Sequence, residues 1–164
     1  MSPQAKIALA LAGLLATASP HAKDAEPERV ALCRAFEGKG GDLTLVNLVP
    51  RHPAGGVVDL RDVDIDDDGL PDLIRLACTT ALATGAEHCA LTLTMAGGHE
   101  LKFEREHIAL VQAGSRVYVS SSQTVCRSHR LAHSTELAAV IKGRFVTRCG
   151  PEATPINAAN TPDC

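Results

Sequence analysis

Between Asp59 and Asp72 the chain carries seven of its nineteen acidic residues. Six of them fall in the run Arg61-Asp62-Val63-Asp64-Ile65-Asp66-Asp67-Asp68-Gly69-Leu70-Pro71-Asp72-Leu73-Ile74. Like charges packed that closely repel unless a cation joins them, and the spacing D-x-D-x-D-G-x-x-D is that of a calcium loop. With Asp64 at position one, Asp66 and Asp68 supply carboxylates at three and five. Gly69 allows the sharp turn, the carbonyl of Leu70 serves at seven, and Asp72 closes the shell at nine. An all-oxygen set of this size and flexibility suits Ca²⁺ better than Mg²⁺. A helix-loop-helix frame is excluded, because position twelve is Arg75 where a bidentate Glu is required. The flanks, Val57-Val-Asp-Leu60 and Leu73-Ile-Arg-Leu76, read as strands. The loop therefore predicts a β-hairpin.

The N-terminus fixes the compartment expected for that hairpin. Lys6 precedes the apolar run 7–16, and Ala16-Thr17-Ala18 supplies small residues at a cleavage site, the pattern of a secretory signal removed after residue 18. About ten apolar residues are too few to span a bilayer, which takes roughly twenty. The mature chain is thus expected to be periplasmic or secreted, with no membrane span after cleavage. In that setting six cysteines predict three disulfides. No C-x-x-C pair competes for zinc. Cys78 and Cys89 flank a polar turn at 83–87 that would fold two strands together. By elimination Cys126 goes to Cys149 and Cys33 to Cys164.

Along the chain, residues 19–29 with Pro20 and Pro27 read as a flexible lead. The segment Glu28–Phe36 fits helix and strand equally. After Gly38-Lys-Gly-Gly41 come short runs rich in Leu, Val and Thr: 43–49, 57–60, 73–78, 89–95, 101–106, 107–112 and 117–122. Leu91-Thr-Leu-Thr-Met95 alternates strictly, and Gly97-Gly98 and Ala113-Gly114-Ser115 are hairpin breaks. Residues 134–142 fit either a helix or a strand. The expected fold is all-β, made of antiparallel hairpins in a sandwich or partly closed barrel, with at most one or two short helices and disulfide bracing. A single calcium-binding β domain spans 30–150, and residues 151–164 form a tail tied by Cys164.

Composition narrows the function. Sixteen Lys and Arg against nineteen Asp and Glu give a formal charge of -3, so no cationic field is available for nucleic acid. With no Trp, one Tyr and three Phe, a stacking platform for bases is missing too. His129 and His133 stand four apart, but Arg130 replaces the Glu of H-E-x-x-H. Glu104 and Glu106 share a face of an expected strand, and that spacing alone does not make an acid/base pair. No nucleophile elbow, P-loop or dinucleotide fingerprint occurs. No catalytic residue is assigned, and a non-enzymatic binding protein is expected.

The acidic loop, ending in Asp72-Leu73, resembles the strand-loop-strand calcium hairpin of FG-GAP and related secreted repeats. Only one copy is present, which excludes a propeller. The succession of signal peptide, early Cys, single D-x-D-x-D-G hairpin and β-meander over 57–148 is similar to the periplasmic immunity proteins that neutralise lysozyme-like effectors, relatives in fold of periplasmic lysozyme inhibitors. That resemblance implies a protein partner, a peptidoglycan hydrolase, met by a small-residue loop followed by Tyr. The matching stretch is Ala113-Gly114-Ser115-Arg116-Val117-Tyr118, with Gly114, Ser115, Arg116 and Tyr118 as the partner-binding residues. A plain hairpin turn remains the competing reading of that stretch. A calcium-stabilised surface or adhesion module and a small secreted hydrolase remain the alternatives for the whole protein.

Overall fold

The computed structural model describes residues 26–49, 56–127 and 130–155. The expected signal segment, the lead up to residue 25, His129, Cys164 and the end of the tail lie outside the described residues. None of the described helices is long and apolar enough to cross a membrane.

The ambiguous first segment is helix α1 (Glu26–Phe36), so it takes in the last residues of the expected lead. Glu26 and Glu28 stand in its first turn and Arg34 in its last, which suits the helix dipole. Gly38 stops it at φ 68°. The Gly38 amide bonds the Ala35 carbonyl at 3.2 Å and the Lys39 amide that of Arg34 at 2.9 Å, a Schellman closure.

Among the described residues nine antiparallel strands follow: β1 (Leu45–Asn47), β2 (Gly56–Val63), β3 (Asp72–Thr80), β4 (Glu87–Thr94), β5 (Glu100–Arg105), β6 (His107–Ala113), β7 (Arg116–Arg127), β8 (Arg130–Val140) and β9 (Phe145–Pro155). They form two sheets ordered β1-β6-β7-β8-β9 and β2-β3-β4-β5. Ile74, Leu76, Leu91 and Leu93 of the smaller sheet meet Ile108, Leu110, Val117 and Val119 of the larger to make the sandwich core. Full burial of one such side chain contributes about 1.5–3 kcal/mol, so truncating Leu93 or Leu110 to Ala should cost about 2–5 kcal/mol. The larger sheet is apolar on its outer face too. There α1 lays Leu32 over Tyr118, Leu137 and Ala139.

The segment 134–142 belongs mostly to strand β8, which has a neighbour on both sides, β7 and β9. That pairing outweighs the helical preference of Glu-Leu-Ala-Ala. Strand β9 likewise reaches Pro155, into the expected tail.

The disulfides correct one expectation. Cys78 and Cys89 are register opposites on β3 and β4 and are bonded, with Cα atoms 4.1 Å apart. Cys149, however, bonds Cys33, so neither Cys126–Cys149 nor Cys33–Cys164 forms. Register explains the first failure: Cys126 faces Leu131 and Cys149 faces Leu137 on the intervening β8. Two strand spacings exceed the 4.4–6.8 Å that a disulfide usually spans between Cα atoms. Docking of α1 explains the second, since it brings Cys33 within 5.3 Å of Cys149, Cα to Cα. Cys126 is also disulfide-bonded.

Candidate metal centre

The β2–β3 connection folds on its own acids. Asp64 accepts the Asp68 amide on Oδ1 at 3.1 Å and the Gly69 amide on Oδ2 at 2.8 Å. Asp68 Oδ1 accepts the Leu70 amide at 2.8 Å. Asp67 and Gly69 take positive φ, 61° and 87°, and such a tight reversal favours Gly and tolerates Asp. Asp72 is the deepest acid among the described residues, at 2% exposure. Its Oδ2 accepts the Ile65 amide at 3.0 Å and its Oδ1 the Ala96 amide at 2.9 Å. One carboxylate thus clamps the acidic loop to the β4–β5 turn.

Asp64, Asp66 and Asp72 offer oxygens within 4.8 Å of one another, an arrangement that could hold a cation. The amide bonds leave lone pairs free on these oxygens. Asp66 Oδ1 is buried and has no hydrogen-bond partner among the described residues. Burial raises the Asp66 pKa above 3.8, and the charges of Asp68, Asp72 and Asp64 raise it further, while the Asp68 amide opposes them. A carboxylate left in this state is what a hard cation would relieve, so the residues fit an oxygen-seeking metal. Of the expected carboxylate ligands, Asp68 lies outside this group and is turned onto the Leu70 amide.

The β6–β7 turn adjoins this loop. Gly114 reverses the chain at φ 62°, Ala113 pairs with Arg116 across it, and Arg116 Nη2 lies 3.4 Å from Asp67 Oδ2. Gly114, Ser115 and Arg116 are exposed. Tyr118 is not: at 6% exposure it lies beneath α1, on the sheet face opposite Val117 and Val119, so the contact expected of it falls to the turn itself. The β8–β9 turn is at the same end, where His99 Nε2 lies 3.3 Å from the Gly143 carbonyl.

Sequence reasoning missed the Asp72 clamp and the Asp67–Arg116 pair. The first had a signal, since Asp72 is in strand phase with the core residues Ile74 and Leu76. Nothing in the sequence marks Ala96 as its partner.

The remaining charged residues serve other contacts. Glu104 faces His88 at 3.6 Å, whereas Glu106, beyond the end of β5, accepts the Thr124 amide at 2.9 Å and its hydroxyl at 2.8 Å. The two are not a same-strand pair. His133 is on strand β8, so a spacing of four no longer places it on a helix face with residue 129. Glu87 lies beside Cys78 and Cys89, whose sulfurs are committed to a disulfide. At that far end Glu87 bonds His107 Nδ1, and Arg105 meets Glu136 at 3.6 Å, each pair joining one sheet to the other.

The site and fold together define a disulfide-bonded β-sandwich with an acidic hairpin able to hold a cation. Comparison with protein-family models, curated proteins and solved structures finds no match for this chain.

Proposed function

We propose that this is an exported, calcium-stabilised binding protein that blocks a lysozyme-like peptidoglycan hydrolase. The single observation that carries the reading is the 3.4 Å contact between Asp67 and Arg116, which sets the acidic hairpin against an exposed Gly turn. Disulfide bonding fits an oxidising compartment outside the cytosol.

In this reading Asp64, Asp66 and Asp72 hold Ca²⁺, with Asp68 and the Leu70 carbonyl completing the shell. The ion supplies positive charge that cancels carboxylate repulsion and stiffens the end of the sandwich. Glycoside hydrolase clefts are lined by paired carboxylates. A turn of small residues carrying one guanidinium, Gly114-Ser115-Arg116, has the shape and charge to enter such a cleft. Arg is a common source of binding energy at interfaces, which makes Arg116 the residue to test.

The test is turbidity clearance of peptidoglycan by lysozyme-type hydrolases with excess protein and millimolar calcium. Inhibition is expected, and Arg116→Ala should weaken it at least tenfold, about 1.4 kcal/mol, with little change in the melt. Hydrolases running at full rate would reject the inhibitor reading.

A further inference from the structure

The β2–β3 connection and the first residue of β3 together bear five carboxylates, Asp64, Asp66, Asp67, Asp68 and Asp72, with no base among residues 64–72. Across from it, on another sheet, Arg116 sets its guanidinium 3.4 Å from Asp67. Asp67 stands outside the three-carboxylate group of Asp64, Asp66 and Asp72, at the left-handed residue of the turn. The guanidinium can therefore neutralise part of the field without taking a metal-ligand position. Both side chains are well exposed, Arg116 at 43% and Asp67 at 56%, so the contact is weak and reversible.

From this geometry we infer that Arg116 is a counter-ion built into the fold, so that cation binding in the hairpin and engagement of Arg116 by a partner are linked events. A divalent cation bound among Asp64, Asp66 and Asp72 takes the formal charge of the loop from -5 to -3. The hold of Asp67 on Arg116 weakens accordingly. Thermodynamic reciprocity requires the converse: whatever draws Arg116 away from Asp67 tightens the cation. An acidic partner surface does this, and it would bind better to the calcium-loaded protein. The inference rests on the calcium reading above and adds its regulation, since calcium here sets the availability of the contact residue as well as the stability of the scaffold.

The test is a charge cycle read by calorimetric calcium titration of the whole mature protein, using wild type, Arg116→Gln, Asp67→Asn and the double variant. Thermal melts establish that each variant folds. At about 10 mM ionic strength, where the Debye length is about 30 Å, R116Q should bind calcium about two- to fivefold more tightly than wild type. In the D67N background the same change should have a clearly smaller effect, since only the longer-range attraction to the remaining carboxylates is then lost. At about 1 M salt, with the Debye length near 3 Å, the wild-type difference should vanish. An R116Q affinity equal to or weaker than wild type overturns the inference while leaving the calcium site standing. Equal tightening in the D67N background overturns it too, because the effect would then not pass through the pair. No calcium binding by wild type overturns both this inference and the proposed function.

Discussion

The two ends of the sandwich solve the same electrostatic problem in opposite ways. At the end that holds the β3–β4 turn, charges of opposite sign face each other across the sheets, Glu87 with His107 and Arg105 with Glu136, beside the Cys78–Cys89 bond. At the other end the acids of 64–72 face one another, and Asp66 is left with a buried oxygen that nothing described satisfies. Each end keeps one buried atom without a partner among the described residues, Arg105 Nε at the first and Asp66 Oδ1 at the second. The difference is that the first pairs opposite charges within the chain while the second gathers like charges that could hold a cation. Nine residues of β3 separate them, roughly 30 Å of strand. Stability at the first should therefore depend on covalent and ionic partners within the chain, and at the second on a cation.

The largest expected effect tests the self-contained end. Replacing Cys78 and Cys89 by Ser frees a loop with sequence separation 11. Chain-entropy arithmetic puts the loss at about 2–3 kcal/mol, to be read from denaturant melts at fixed calcium. An equal loss with and without calcium keeps the ends distinct; a loss that calcium abolishes would merge them.

Next comes calcium itself. At a concentration one hundred times its dissociation constant, ligand linkage gives about 2.7 kcal/mol, which for a domain of this size raises the melt by roughly 5–15 °C over the chelated protein. Identical midpoints would remove the contrast between the ends.

How far this contrast is legible in the sequence depends on the range of the interactions. The acidic hairpin and the Cys78–Cys89 bond are local: ligand spacing and a short turn specify them within a dozen residues. The Cys33–Cys149 bond has a sequence separation of 116 and depends on α1 docking against the larger sheet, which no local pattern encodes. Tyr118 misled for a related reason. Alternation places Val117 and Val119 on the core face and Tyr118 on the other, and only the helix above turns that second face into a core as well. Residues 134–142 have helix-forming composition, yet most of them lie in a strand paired on both sides. At the cation end, the carboxylates were legible but their division of labour was not. Asp68 caps its own turn, but Asp72 also holds the Ala96 amide and Asp67 meets Arg116, and both of those partners come from turns elsewhere in the chain.

A smaller effect sharpens the account of the cation end through pH. Burial first, then the neighbouring charges of Asp68, Asp72 and Asp64, raises the Asp66 pKa above 3.8. The folded state thus binds this proton more tightly than the unfolded state does. The stabilisation that protonation gives is fully present below the unfolded value and is lost as pH rises through the raised folded value. In chelator, this contribution should lower the melt from about pH 4 toward neutrality, and Asp66→Asn should remove that slope. With calcium the same interval should show the opposite sign, since the ion takes up only the carboxylate form. A D66N protein that keeps the wild-type slope in chelator would shift the blame from Asp66 to other groups.

The smallest effect asks whether the ends communicate at all. His107→Ala removes one partner of an inter-sheet pair whose side chains are 53% and 29% exposed, and a pair that open to water contributes about 0.2–1 kcal/mol. Sites this far apart without shared partners add within about 0.5 kcal/mol. The H107A penalty should therefore be the same in chelator and in calcium, and the calcium gain should be the same in H107A and wild type. Denaturant melts of the two proteins in the two conditions supply all four corners of that cycle. A coupling above about 1 kcal/mol would mean that the two sheets shift as one body when the cation binds, and the acidic hairpin would then act on the whole sandwich instead of on its own end.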